Sequence, residues 1–270
     1  MKKNFFLLFT TVFTFIPFIV NAKNITVDDL KKNVEIKKSG SHIIRKIPSV
    51  KAKRNYCVPA SMEMILRYYN VKINQKTLGN IFNSDKSKGT YTSEMMKNFS
   101  SEKLKGFKIK KLYGMTVSES EELFKEYLSS SRLSKSKSKK FSKIMENKDF
   151  ADAINAMDPK IVFEVFPPVR TKLNKLFPEL IKKYIDNGIP LLWSVIMNFD
   201  PDNRTDGFHM RIMAGYYTDK SGSITEIVYL DPWSSNKNSE KVNINEATAM
   251  TMEFFAVLPE NIKIIDGEAD

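Results

Sequence analysis

The sequence predicts an α+β fold, helical through its first two thirds and stranded in its last. Three observations carry this. Behind Cys57, the residues Met62, Ile65, Leu66 and Tyr69 fall at i, i+3, i+4 and i+7, one apolar helix face. Further segments of helical character extend to about residue 187. From Pro190 onward, runs rich in aromatic, β-branched and long apolar residues take over, two of them joined by the turn sequence Asp219-Lys220-Ser221-Gly222. Helices followed by strands, rather than alternating with them, indicate α+β.

In chain order, Lys2 and Lys3 precede an apolar run from Phe5 to Val20 and the small-residue site Val20-Asn21-Ala22. This is the pattern of a secretory signal cut after Ala22. The run is shorter than the roughly 20 residues that span a bilayer, and no later stretch is long and apolar enough. The expectation is an exported chain, periplasmic or secreted, that loses residues 1–22 and keeps no transmembrane segment. Residues 23–46 are polar and basic and read as an exposed lead-in. The main domain is expected over 47–258, beginning with an extended approach strand at 47–50.

Pro59 falls in the first turn of the helix behind Cys57, where its missing N–H costs nothing. A second helix is expected at 75–82. A third follows at 94–99, after the loop 89–93. Residues 107–112 alternate apolar and basic, like a half-exposed strand. Ser118, with Glu121 three residues on, has capping-box spacing for a helix to about Leu128. The Ser-, Lys- and Arg-rich stretch 129–140 reads as a mobile loop. Helices over 141–157 and 171–187 are separated by Pro167-Pro168, and Gly188 ends the second. The stretch 118–187 is thus a helical insertion or an extended helical lobe. Strands at 190–197, 208–217, 224–230 and 251–258 complete an antiparallel sheet, leaving 259–270 as a C-terminal tail.

The chain is 270 residues, 42% hydrophobic and 27% charged, an ordinary globular composition. Its net charge is +12, with lysines spread widely. An exported basic protein meets anionic cell-envelope polymers before any nucleic acid, so the former is a candidate partner and the latter is not expected. The sequence has no zinc-type cysteine pattern, phosphate-binding glycine loop or heptad array. Its 13 methionines read as gap fillers.

Cys57 is the only cysteine, so no internal disulfide can form. At a helix N-terminus the dipole and unpaired N–H groups favour a thiolate, which is where a nucleophile belongs. Of the two histidines, His42 lies in the polar lead-in and His209 begins a buried strand. The next strand ends in Asp231-Pro232-Trp233. Paired as a hairpin, the two strands bring Asp231 toward His209, giving a Cys–His–Asp arrangement in which base, nucleophile and orienting acid are all present. Asp200, Asp202 and Asp206 are expected on a loop at the cleft rim. Trp193 and Trp233 are expected as core or cleft-wall residues.

These segments resemble the papain superfamily, and more closely its bacterial double-glycine-peptidase-like branch, related to bacteriocin-processing peptidases. The resemblance rests on Tyr56-Cys57-Val58-Pro59-Ala60-Ser61, on His209-Met210-Arg211 leading to Gly215-Tyr216, and on Asp231-Pro232-Trp233. It implies a papain-like fold with a helical N-terminal lobe carrying the nucleophile helix and an antiparallel β C-terminal lobe. It implies Cys57 as nucleophile, His209 as base and Asp231 as orienting acid, acting through a thioester on a peptide or protein substrate without a metal or organic cofactor. One departure stands out: the family's oxyanion-donating Gln, five or six residues before the nucleophile, is replaced by Lys51 and Ala52. Such donors are worth roughly 3 kcal/mol. Lys51 and Asn55 are the available substitutes. The implied activity is that of an exported cysteine peptidase. The alternatives are a catalytically weak or inactive papain-like binding protein of the envelope, and an acyl transferase.

Overall fold

The computed structural model describes residues 25–146, 150–199, 207–234 and 239–264. The expected signal (1–22), Asp200, Asp202 and Asp206, and residues 265–270 lie outside the described residues. The described chain folds as α1 (Val27–Lys31), β1 (Val34–Lys37), β2 (Ser41–Ile44), α2 (Cys57–Tyr68), α3 (Gln75–Ile81), α4 (Thr92–Asn98), β3 (Phe107–Gly114), α5 (Val117–Ser129), α6 (Lys135–Glu146), α7 (Phe150–Ala156), α8 (Pro159–Val169), α9 (Thr171–Ile185), β4 (Leu191–Ile196), β5 (Phe208–Thr218), β6 (Ile224–Leu230), β7 (Glu240–Asn243), α10 (Ile244–Met250) and β8 (Thr251–Pro259). The class is α+β, as expected.

The strands form an eight-stranded sheet in the order β1-β2-β5-β4-β8-β3, with β6 on β5 and β7 on β6. Every pairing is antiparallel. β5 organises the sheet. It pairs with β4 over residues 208–213 and with β2 over 215–217, while β6 pairs along 212–218. Because β6 overlaps both other partners, it must hold the opposite edge of β5. That edge is left unpaired by β6 before Ile212, and α2 fills the gap. Ser61 Oγ donates to the Met210 carbonyl at 3.0 Å. This contact sets the start of α2 beside the start of β5.

α2 is buried nearly all round. Val58 through Leu66 are buried without interruption, including Glu63, whose carboxylate accepts the Gln75 N–H that opens α3 at 2.6 Å. β4 is buried at every position, and its Trp193 indole donates to Thr251 Oγ1 at 2.9 Å. Such a run fits a strand covered on both faces.

Several expectations need correction. Residues 25–46 are not an exposed lead-in, since α1, β1 and β2 lie within them and β2 extends the sheet. The segment is polar because β1 is an edge strand with exposed positions, which hides its periodicity. No strand forms at 47–50. The α5 cap is Thr116, whose Oγ1 accepts from Glu119 N at 3.1 Å, rather than Ser118. Both frames have the same spacing, but Met115 N–H is still bonded to Met252 O at 2.9 Å, so the chain turns into the helix at Thr116. Residues 135–140 are helical, not loop. α6 is anchored by buried Phe141, whose ring centroid lies 5.0 Å from Tyr127 and 5.7 Å from Phe124. α8 was not anticipated, although Asp158 caps it and Pro159 opens it. Pro167 and Pro168 fall in its last turn instead of between helices. β7 and α10 were also missed.

Residues 117–185 form part of the scaffold. Phe177 of α9 packs 5.5 Å from Phe254 of β8. Buried Arg170 donates to Glu119, to Tyr113 OH and to the Thr248 carbonyl, joining α5, β3 and α10. Asn198 Nδ2 donates to the Ile154 and Met157 carbonyls, and Gly207 N–H donates to Asn155 Oδ1 at 3.3 Å. The helical segment therefore fixes the chain just ahead of His209. Gly188, at φ +71°, turns the chain from α9 toward β4.

Candidate active site

Cys57 is the first residue of α2, half-buried, with no side-chain cap taking the first-turn N–H groups. The segment before it is held from two sides. Gln75 Oε1 accepts Lys53 N–H at 2.8 Å and Gln75 Nε2 donates to Lys51 O at 2.9 Å. Ala52 N–H donates to Pro232 O at 2.7 Å. The last contact stitches the approach to Cys57 onto the Asp231 turn, so the two loops hold a fixed relation.

His209 is buried on β5, and Asp231 follows the last residue of β6. Ile212 pairs with Leu230, so Asp231 lies one step beyond the ladder, toward Arg211 and His209. His209 Nε2 and Asp231 Oδ1 are 2.8 Å apart. An ionised carboxylate only accepts, so Nε2 carries the proton and neutral Nδ1 is left as an acceptor. Nδ1 is buried and makes no hydrogen bond of standard geometry. The imidazole and the Cys57 thiol each shift the other's ionisation, which sets them as neighbours. Catalytic hydrogen bonds commonly tighten only with substrate bound.

Two further residues complete the group. Arg211 Nε donates to Asp231 Oδ2 at 2.8 Å, with its side chain fully buried. The Trp233 ring stacks on the imidazole, centroids 3.8 Å apart and planes 25° apart, and the Trp233 backbone N–H donates to Asp231 Oδ1 at 2.7 Å. The indole thereby covers the His209 ring on one side.

Charge shifts follow from these contacts. Burial pushes the Cys57 thiol up, but the hydrogen-bonding and charge of His209, with the N–H groups of Met210 and Val58, outweigh it and hold the thiol below its ordinary value. Burial pushes the His209 imidazole down, and Asp231 and Cys57 together hold it above its ordinary value. Burial likewise opposes the Asp231 charge, yet His209, Arg211 and the Trp233 N–H lower its pKa to about 2. Thiol down and imidazole up is the direction that favours a thiolate–imidazolium pair.

The structure thus brings Cys57, His209 and Asp231 together. It does not bring Asn55 to the sulfur, because its amide donates to Lys86 O and Ser87 O at 2.8 and 3.0 Å. Lys51 is exposed on the bracing segment, its carbonyl held by Gln75. His42 is far along the sheet, stacked on Tyr216 and 2.7 Å from Asp186. Arg211 and Gln75 were not assigned roles from sequence, and Trp233, expected as a core or cleft-wall residue, is part exposed and stacks on His209. For Arg211 a signal existed, since an arginine inside a buried strand demands a counter-charge, and Asp231 was the nearest acid across the hairpin. Gln75 gave none.

Among the described residues no group of three or more His, Cys, Asp or Glu is placed to hold a metal ion, and no helix is long and apolar enough to cross a membrane. One surface cavity is lined by Ile81, Lys97 and Ser101, another by Ile44, Ala214 and Leu230; neither is lined by Cys57 or His209.

In comparison with known proteins, residues 32–256 match the model of the Peptidase_C39 like family. No curated protein matches the chain.

Proposed function

The chain belongs to the Peptidase_C39 like family, a cysteine peptidase-type group, and on that premise we propose that it hydrolyses a peptide or amide bond with Cys57 as nucleophile, His209 as general base and Asp231 as orienting acid. The observation that carries the reading is His209, whose Nε2 is committed to Asp231 while its buried Nδ1 has no hydrogen-bond partner. His209 Nδ1 takes the thiol proton, and sulfur adds to the carbonyl carbon as the C=O electron pair moves onto oxygen. The imidazolium then protonates the amide nitrogen as the C–N bond breaks, leaving a thioester. Water adds with His209 as base, the C–S bond breaks, and acid and thiol are regenerated. The Cys57 backbone N–H and the Lys51 ammonium are the proposed oxyanion donors. The pattern from Lys2 to Ala22 supports an exported, periplasmic or secreted setting, where an anionic envelope polymer is a proposed partner.

The test is the rate of Cys57 alkylation by iodoacetamide against pH, in the native protein and in His209→Ala. An isolated thiol gains reactivity only near about pH 8.5. The expected result is fast labelling well below that pH, lost in the variant. Slow labelling that ignores His209 overturns the reading.

A second reading is a weak or inactive papain-like binding protein. It is favoured by one observation: the Asn55 amide is spent on loop carbonyls instead of serving the oxyanion. Retained labelling with no hydrolysis of any peptide library would select it.

A further inference from the structure

Two loops joined at the Cys57 approach carry four cations against one carboxylate. Between Glu35 and Glu63 the chain contains no Asp or Glu, and the nucleophile lies within that interval. Just ahead of α2 it makes a tight turn, with Tyr56 N–H bonded to Lys53 O at 3.0 Å, that carries Lys53 and Arg54 before Cys57. The second loop spans Asp85–Gly89, closed by reciprocal backbone bonds of 2.9 Å, with Lys86 and Lys88 near its tip. The loops are clamped together, since Asn55 Nδ2 donates to both Lys86 O and Ser87 O. A Cβ on Gly89 would stand 3.4 Å from Asn55 O, which measures how closely they pack.

Lys53, Arg54, Lys86 and Lys88 are all exposed. Asp85 is the carboxylate inside the second loop, and its Oδ1 is already taken by Ser87 N–H and Oγ and by Lys88 N–H. It offsets part of the Lys88 charge and none of the other three by contact. Both loops are held by several hydrogen bonds, so the four cations sit on a preorganised frame. A rim of net positive charge at a reactive centre raises the local concentration of oppositely charged ligand.

We propose that this rim selects peptide segments bearing acidic side chains close to the scissile bond, a substrate class that rests on the reading of Cys57 as the nucleophile. The family's peptide chemistry favours an acidic peptide over an anionic polymer as the occupant.

The test uses two synthetic decapeptides of the same Gly-Ala backbone, one carrying four Glu and the other four Gln. The readout is the concentration of each that halves the alkylation rate of Cys57 by iodoacetamide at about 0.1 M salt, where exposed charges still act over about 10 Å. The expected result is protection by the Glu peptide at about tenfold lower concentration, a preference that shrinks at about 0.5 M salt. The preference should vanish in the Lys53→Gln, Arg54→Gln, Lys86→Gln, Lys88→Gln protein, and halve on a logarithmic scale in either loop's double variant. Equal protection by both peptides, protection by neither, or a preference that survives neutralisation overturns the proposal. Protection by a poly(glycerol phosphate) control but not by the Glu peptide also overturns it, in favour of a polymer ligand. Alkylation without peptide, compared with His209→Ala, separately reports whether the nucleophile reading holds.

Discussion

Replacing Arg211 by Met removes the guanidinium that faces Asp231 and keeps most of the side-chain bulk. In the native protein Arg211 is fully buried and Asp231 nearly so, with Nε and Oδ2 2.8 Å apart. The Asp231 pKa falls from 3.8 to about 2, which is about 2 kcal/mol in favour of the ionised form. That figure is net of burial, the largest single influence and one that opposes the charge. In the variant the burial remains while one of its two cationic partners is gone. The loss should therefore exceed the net figure and approach the roughly 3–5 kcal/mol of a broken buried pair. For a domain of this size that lowers Tm by on the order of 10 °C. The sign with pH follows from linkage. A depressed carboxylate pKa contributes stability that is fully present above about 3.8 and is lost as pH falls toward about 2. The variant's Asp231, no longer held down by Arg211, takes up a proton at higher pH and escapes its penalty there. The stability gap between native and variant should thus be widest near neutrality and narrow on acidification. Urea unfolding followed by the fluorescence of Trp193 and Trp233, at about pH 7 and pH 3, measures it. A loss under about 1 kcal/mol at neutral pH, or one that does not change with pH, would refute the reasoning.

Gln75→Ala leaves Lys53 N–H and Lys51 O without their side-chain partner and should cost about 1–3 kcal/mol; amide exchange at Lys53 should accelerate and Cys57 labelling slow, and unchanged protection at Lys53 would count against the bracing role. Gly188→Ala places a Cβ 2.2 Å from Leu30 O at φ +71°, so strain of on the order of 3 kcal/mol is expected in the same unfolding assay, and a neutral result would show that α1 yields freely at that contact.

Some of this site was legible in the chain and some was not. Cys57 could be placed because α2 announces itself locally, through Pro59 in its first turn and the spacing of Met62, Ile65, Leu66 and Tyr69. The approach of Asp231 to His209 could be anticipated because a hairpin connects them and the turn at Asp219–Gly222 is explicit. Arg211 was readable in principle, as a charge inside an apolar strand. Gln75 was not, because it acts on a segment over twenty residues earlier through hydrogen bonds that leave no periodic trace. The same limit hid β1 and β2. Each is only four residues long, too short for a periodic signal; β1 is an edge strand with exposed positions, and only the pairing of β2 with β5, and of β1 with β2, shows them as part of the sheet. α6 was hidden differently, since its Ser- and Lys-rich first half resembles a loop until Phe141 is seen packed between Tyr127 and Phe124.

What the chain alone determined was class, local elements and the identity of the reactive groups, since a lone thiol at a helix start and a histidine beginning a strand are properties of short segments. What only the tertiary structure decided was how those groups are charged and held. β6 ends at Leu230, which leaves the edge of β5 free for α2 and sets Cys57 beside His209. Burial then makes the charge of Asp231 depend on His209, Arg211 and the Trp233 N–H, and that of His209 on Asp231 and Cys57. Such dependence arises between residues distant in sequence, in a medium that no longer screens them, and so it appears only when the chain is folded.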